Sequence, residues 1–165
     1  MVIIMSQVQK GSSDIYDVVL FVHAILFAYQ RAVRRMLGTG ASIFIHPTLD
    51  LIRQIDEKRR LGLLKGKDLD DALANLTSLL LSTGVAKRVY VRKLSRYRIE
   101  LIVDDCVFAQ HVHPFLEPRD VTCPCAVIAM AIFEKYTGLR VKLADSYFTP
   151  RGSKTIIEAL TRSST

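Results

Sequence analysis

No glycine-rich phosphate loop, no Gly-x-Ser-x-Gly elbow and no His-Glu-x-x-His pair occurs in these 165 residues. The usual signatures of nucleotide hydrolases, serine hydrolases and zinc proteases are therefore missing, and no acid pair at motif spacing takes their place. A non-enzymatic role is the expectation. There is no internal repeat and no low-complexity segment, which excludes solenoids and biased linkers. Cysteine is scarce and odd in number, with Cys106, Cys123 and Cys125 and none beyond. That count builds no disulfide framework, and with no leader-like pattern at the start it points to a reducing, cytoplasmic setting. The apolar run Val18 to Tyr29 is interrupted by His23; a bilayer needs about 20 such residues, so the run is expected to be a buried or interface helix, not a membrane span.

Half of the residues are hydrophobic and 24% are charged, a composition that folds, and the length suits a single domain over residues 1–165 in which 1–11 carry no structural weight. The formal charge is +7. Acids lie between many of the basic residues, so a solvated surface explains the charge as well as a polyanionic partner does.

Ser12, Ser13 and Asp14 offer N-cap chemistry to a long helical pattern that ends with Arg34, Arg35 and Gly38. Its apolar residues cover more than one face. Burial on several sides follows, by the sheet, by other helices or by a second copy, and a homodimer contact is expected there. Pro47 to about Arg60 reads as a second helix, with Arg53 pairing to Asp56 or Glu57. Asp68 to Leu81 reads as a third, with Asp70 and Asp71 in its first turn. From Val85 the period becomes two: Val89, Val91, Tyr97, Ile99, Leu101 and Val103 alternate with charged residues, predicting two strands with a turn at Leu94-Ser95. Thr122-Cys123-Pro124-Cys125 then opens an apolar helix that stops at Gly138. Leu139 to Tyr147 and Thr155 to Leu160 form two further strands around a Thr149-Pro150-Arg151-Gly152 turn. The implied fold is α+β: N-terminal helices plus a core helix packed on a twisted four-stranded antiparallel sheet.

That order, with Cys123-Pro124 opening a helix that ends at Gly138 and feeds a Pro-Gly hairpin, resembles the 4-vinyl reductase or hydrocarbon-binding domain. Its relatives include the small subunits of the TRAPP vesicle-tethering complexes. The likeness covers most of the chain in outline, and its sequence signature lies in the last third. It implies a helical layer on an antiparallel sheet, dimerisation through N-terminal helices, and a pocket between sheet and helices for small apolar molecules or acyl chains. Many relatives carry further cysteines in the last two strands, and this chain has none there.

Four sets of residues have the types that chemistry requires. Cys106, His111, His113, Cys123 and Cys125 supply zinc-binding atoms, but a single residue between the members of each pair is not a standard zinc spacing, and the leading reading is that most of them pack, Cys106 and Cys125 as small buried hydrophobes. Cys123 and Cys125 sit where a helix N-terminus would favour a thiolate. Along the core helix Val127, Met130, Ala131 and Phe133 are the candidate pocket wall, against the plain reading of a central core helix. In the basic hairpin Lys87, Arg88, Arg92, Lys93, Arg96 and Arg98 interleave with Tyr90 and Tyr97. A metal-stabilised module binding nucleic acid through that hairpin is the alternative to a ligand-binding or interaction domain.

Overall fold

A computed structural model describes residues 13–38, 44–116 and 122–160. Helices α1 (Ser13–Leu37), α2 (Ile45–Arg59) and α3 (Leu69–Ser82) precede strands β1 (Ala86–Ser95) and β2 (Arg98–Cys106). A short helix α4 (Ala109–Val112) with a 3-10 turn follows, then α5 (Pro124–Thr137) and strands β3 (Val141–Thr149) and β4 (Gly152–Ala159). The strands form one antiparallel sheet in the order β1-β2-β4-β3. The α+β class read from the sequence is the observed one.

Alternation decides which face of the sheet is buried. Val89, Ile99, Leu101, Val103, Thr155 and Ile157 turn inward beneath the helices, while Arg88, Tyr90, Arg92, Lys154 and their neighbours turn out to solvent. Helix α3 lies over β1. Helix α5 lies over the centre of the sheet and is covered in turn by α2 and α3. Its small residues make this possible: Ala126, Ala129 and Ala131 are completely buried, and they let the backbone settle close to its neighbours while Met130, Ile132 and Phe133 fill the space between.

Local signals set most boundaries. The Asp68 carboxylate accepts from the Asp71 N–H at 2.9 Å and caps α3, and Gly138 closes α5 with φ +67°. Pro124 occupies the first turn of α5, where its missing N–H costs nothing. Other details differ from the sequence reading. Helix α2 begins two residues before Pro47. The β1–β2 turn falls at Arg96-Tyr97, after a register shift near Lys93 and Ser95 that carries β1 past Leu94. The proposed N-cap Ser12 lies outside the described residues. Gly152 is required by crowding: a Cβ there would fall on the carbonyl oxygen of Val103 in β2.

Arg53 pairs with Asp50 at 3.0 Å and, across to α5, with Glu134 at 2.5 Å, instead of with Asp56 or Glu57. Asp56 accepts the Leu63 and Leu64 N–H groups. Glu134 is buried, and its Oε2 also takes the Val141 N–H at 3.1 Å, with His46 Nδ1 3.3 Å from the same oxygen. One carboxylate thus ties α2 and α5 to the start of β3.

Candidate functional site

The cysteines and histidines gather at one end of the sheet, where β2 stops, β4 begins and α5 starts, but they do so as two groups. Cys106 is the last residue of β2, held by its N–H to the Arg151 carbonyl at 2.9 Å. Cys123 is the residue that precedes α5, and Cys125 sits in its first turn. All three thiols are free, and Cys123 is the most buried, at 6% exposure. The Cys125 thiol, the Ser153 hydroxyl and the N–H groups of Ala126 and Cys125 surround the Cys123 sulfur, which makes no side-chain cap hydrogen bond to α5. These donors outweigh burial and pull the Cys123 thiol down to about 6. The Cys125 thiol is pushed up well above its ordinary range, by its interaction with Cys123 and then by burial. Burial likewise raises Cys106.

Three of the histidines, His23, His111 and His113, belong to an aromatic cluster between α1 and the sheet end. His23 of α1 stacks on Phe108 at 4.6 Å and meets Phe27 edge-on at 4.5 Å, and Phe27 meets Phe148 edge-on at 5.5 Å. His113 packs against Phe148 at 4.7 Å, and its Nδ1 donates to the Thr149 carbonyl at 2.8 Å, which assigns the proton to that nitrogen. Burial, then the neighbouring His113, lowers His23 to about 4, and burial lowers His113 as well. Both rings are neutral at pH 7. His111 is exposed and lies beside Tyr16 and Gln110. Among the described residues no three His, Cys, Asp or Glu side chains come together in a set that could hold a metal ion. The five-membered zinc set is therefore not assembled.

Helix α1 covers this end of the molecule through one stripe. The Tyr16 hydroxyl donates to the Val107 carbonyl at 3.2 Å, Phe27 is buried to 1% exposure, and Gln30 accepts from the Thr122 N–H at 2.9 Å. Arg31 donates to the Phe115 carbonyl at 2.7 Å. Tyr16, Leu20, His23, Phe27 and Gln30 recur at alternating steps of four and three, the spacing of one helical seam. On the opposite side Val18, Val22, Ile25 and Tyr29 follow the same spacing two residues further on, with Met36 seven residues beyond, and they stand exposed, Val22 at 58% and Tyr29 at 65%. The burial on several sides expected for this helix is thus absent within the single chain. The span Tyr16–Leu37 is also long and apolar enough to cross a bilayer, by length and composition only, which the shorter run Val18 to Tyr29 is not.

The proposed pocket wall packs tightly along most of its length. Met130, Ala131 and Phe133 are at most 1% exposed and Val127 is half-buried. Phe133 lines a cleft near the C-terminal end of α5; the other three line none of the clefts described. The basic hairpin is divided between faces and partly neutralised. Arg88 pairs with Asp104 and Asp105, Arg92 with Glu100, and Lys93, on the helix side, with Asp70. Glu100 is only 4% exposed although it stands on the solvent face, because Arg92 and Lys154 close over it at 2.6 and 2.7 Å; the Lys154 hydrogen bond leads in holding its carboxyl below the usual range.

Together these features define an α+β domain with a half-covered sheet, a buried dithiol and one apolar helix face left open. No protein-family model matches the chain, and no curated protein matches it in sequence.

Proposed function

We propose that this chain is a non-enzymatic binding domain that acts as a dimer, pairing two copies through α1 and serving as a sensor or adaptor for a small apolar ligand or a protein partner. The second seam of α1 carries this reading. Val18, Val22, Ile25, Tyr29 and Met36, with Phe21 and Leu26 beside them, expose on the order of 800 Å² per chain, about what one partner contributes to a standard interface. Two such seams, laid against each other, would remove that surface from water with coiled-coil-like packing. The resemblance to hydrocarbon-binding and TRAPP-subunit domains agrees with pairing through the first helix. The non-enzymatic half is supported by the burial of the Cys123 thiol, at the start of α5, beneath other side chains.

The nucleic-acid alternative has less behind it, since three of the six hairpin cations already have acidic partners and the six do not share one face. Light scattering coupled to size exclusion, at micromolar concentration, tests the dimer: a mass of twice 18.6 kDa is expected. A monomer at every accessible concentration overturns it, and co-sedimentation with lipid vesicles would assign the open face to a membrane instead.

A further inference from the structure

The sheet has two free edges, β1 and β3, and they are not alike. Strand β3 is blunted by a register shift between Leu143 and Asp145. Strand β1 keeps one register with β2 from Ala86 to Lys93 and contains no glycine or proline. Among the described residues no other backbone hydrogen bond reaches 87–93, so alternate N–H and C=O groups stand open along its free side. On the helix side an open groove of about 630 Å³ lies between Val89 and Val91 of β1 and Ala74, Thr77 and Ser78 of α3. A second hollow, of about 560 Å³, lies beside Tyr90 and Arg92 and reaches Ile102 of β2. Tyr90 is 50% exposed, and Val91 and Ile102 are half-buried, so apolar surface is accessible on both sides of the strand.

We propose that the free edge of β1 accepts an extended segment of another protein, in which acidic and small apolar residues alternate, as an added strand of the sheet. The main chain of that segment bonds the open groups of β1, and its side chains turn alternately into the α3 groove and across Tyr90. Small apolar side chains suit the groove, whose walls Ala74, Thr77 and Ser78 leave it shallow; Asp70, the acid lining it, is paired with Lys93. Charge selects the acidic positions. Strand β1 carries Lys87, Arg88, Arg92 and Lys93 and no acid. The carboxylates that answer them are shared: Glu100 serves both Arg92 and Lys154, and Asp104 and Asp105 serve both Arg88 and Arg151. No described acid pairs with Lys87, so positive charge is left over. That remainder is small against a nucleic acid but enough to sort an acidic strand from a basic one. It also rejects a second copy, because antiparallel pairing of two β1 strands sets these cations against their like. The inference rests on the reading of the chain as a binding domain and names the partner; it uses no residue of α1.

Amide NMR of the full chain, titrated with synthetic peptides of about eight residues, tests it. A peptide alternating valine with glutamate should give saturable shifts at Val89, Tyr90 and Val91. The same peptide with lysine for glutamate should bind at least about tenfold more weakly. N-methylation of every second amide should abolish binding in one phase and spare it in the other, because only one set of N–H groups faces β1. Lys87→Glu with Arg88→Gln, both exposed positions, should weaken the glutamate peptide about tenfold and leave the resonances of α5 in place. The proposal is overturned if the lysine peptide binds as tightly, if the two N-methylated peptides behave alike, if the double substitution changes nothing, or if shifts fall only on α1 or nowhere. Cross-peaks between the β1 strands of two copies, without peptide, would give the edge to a second copy and overturn it as well. A chain that is dimeric yet binds no peptide refutes the edge alone. One that binds the peptide as a monomer refutes the α1 reading alone.

Discussion

Helices α1 and α5 each carry an almost unbroken apolar stretch, yet one is exposed and the other is the most enclosed element in the molecule. In α5, Ala126, Ala129, Met130, Ala131, Ile132 and Phe133 are all at most 1% exposed; among the described side chains of α1 only Phe27 reaches that level. The difference lies in what surrounds them. The sheet is below α5, α2 and α3 are against it, and the Glu134 carboxylate binds it laterally to Arg53 and the β3 backbone. Helix α1 meets the rest of its chain along one stripe, through an aromatic cluster and a few hydrogen bonds to loop carbonyls. Apolar content therefore says that a helix will be covered, and connectivity says by what.

The contrast can be broken most severely in α5. Phe133→Ala should cost about 3–5 kcal/mol in urea unfolding, by transfer and cavity terms together, since its ring is fully buried. If the loss were below about 1 kcal/mol, α5 would not be the centre of the core. The corresponding damage to α1 should leave folding intact and strike association. Val22→Glu with Ile25→Glu should weaken self-association at least a hundredfold by analytical ultracentrifugation while changing monomer stability by less than about 1 kcal/mol. A stability loss as large as that of the Phe133 variant would make α1 a core element.

Acid should separate the two helices next. The unfolded chain protonates His23 near the ordinary 6.5, whereas the folded chain does so only near 4. Between those values the unfolded state binds more protons, so the contribution of the neutral ring is complete above about pH 6.5 and is lost as pH falls toward 4. His113, shifted in the same direction, adds to the effect. Hydrogen exchange should show α1 loosening over that window before α5 does, and His23→Phe should narrow the difference. Equal loosening of both helices would show that the aromatic cluster does not hold α1. The smallest effect belongs to the exposed sheet face: Arg88→Ala should change stability by about 1 kcal/mol or less, because its pairs with Asp104 and Asp105 are solvent-exposed.

The same division governs what could be read from the residues alone. Capping at Asp68, the stop at Gly138, the change to a two-residue period after Val85 and the Pro-Gly turn are local signals, each set by the backbone needs of a few neighbours, and the elements they delimit are present. The turn at Arg96-Tyr97 was less legible because a register shift in β1 moves it away from Leu94-Ser95. At the candidate site, the grouping of Cys106 with Cys123 and Cys125 follows chain order. The departure of His113 toward Phe148 and Thr149 does not, because those partners lie some 35 residues away in sequence.

Composition, period and caps by themselves determined an α+β chain, the order of its main elements without the short α4 and its 3-10 turn, and the solvent-facing side of its sheet, since each depends on interactions within a turn or across one pleat. The tertiary structure alone decided that α5 is enclosed and α1 half bare, and that His113 leaves the cysteines for Phe148. Those outcomes depend on which distant surfaces meet, and that is settled when non-local packing brings them together.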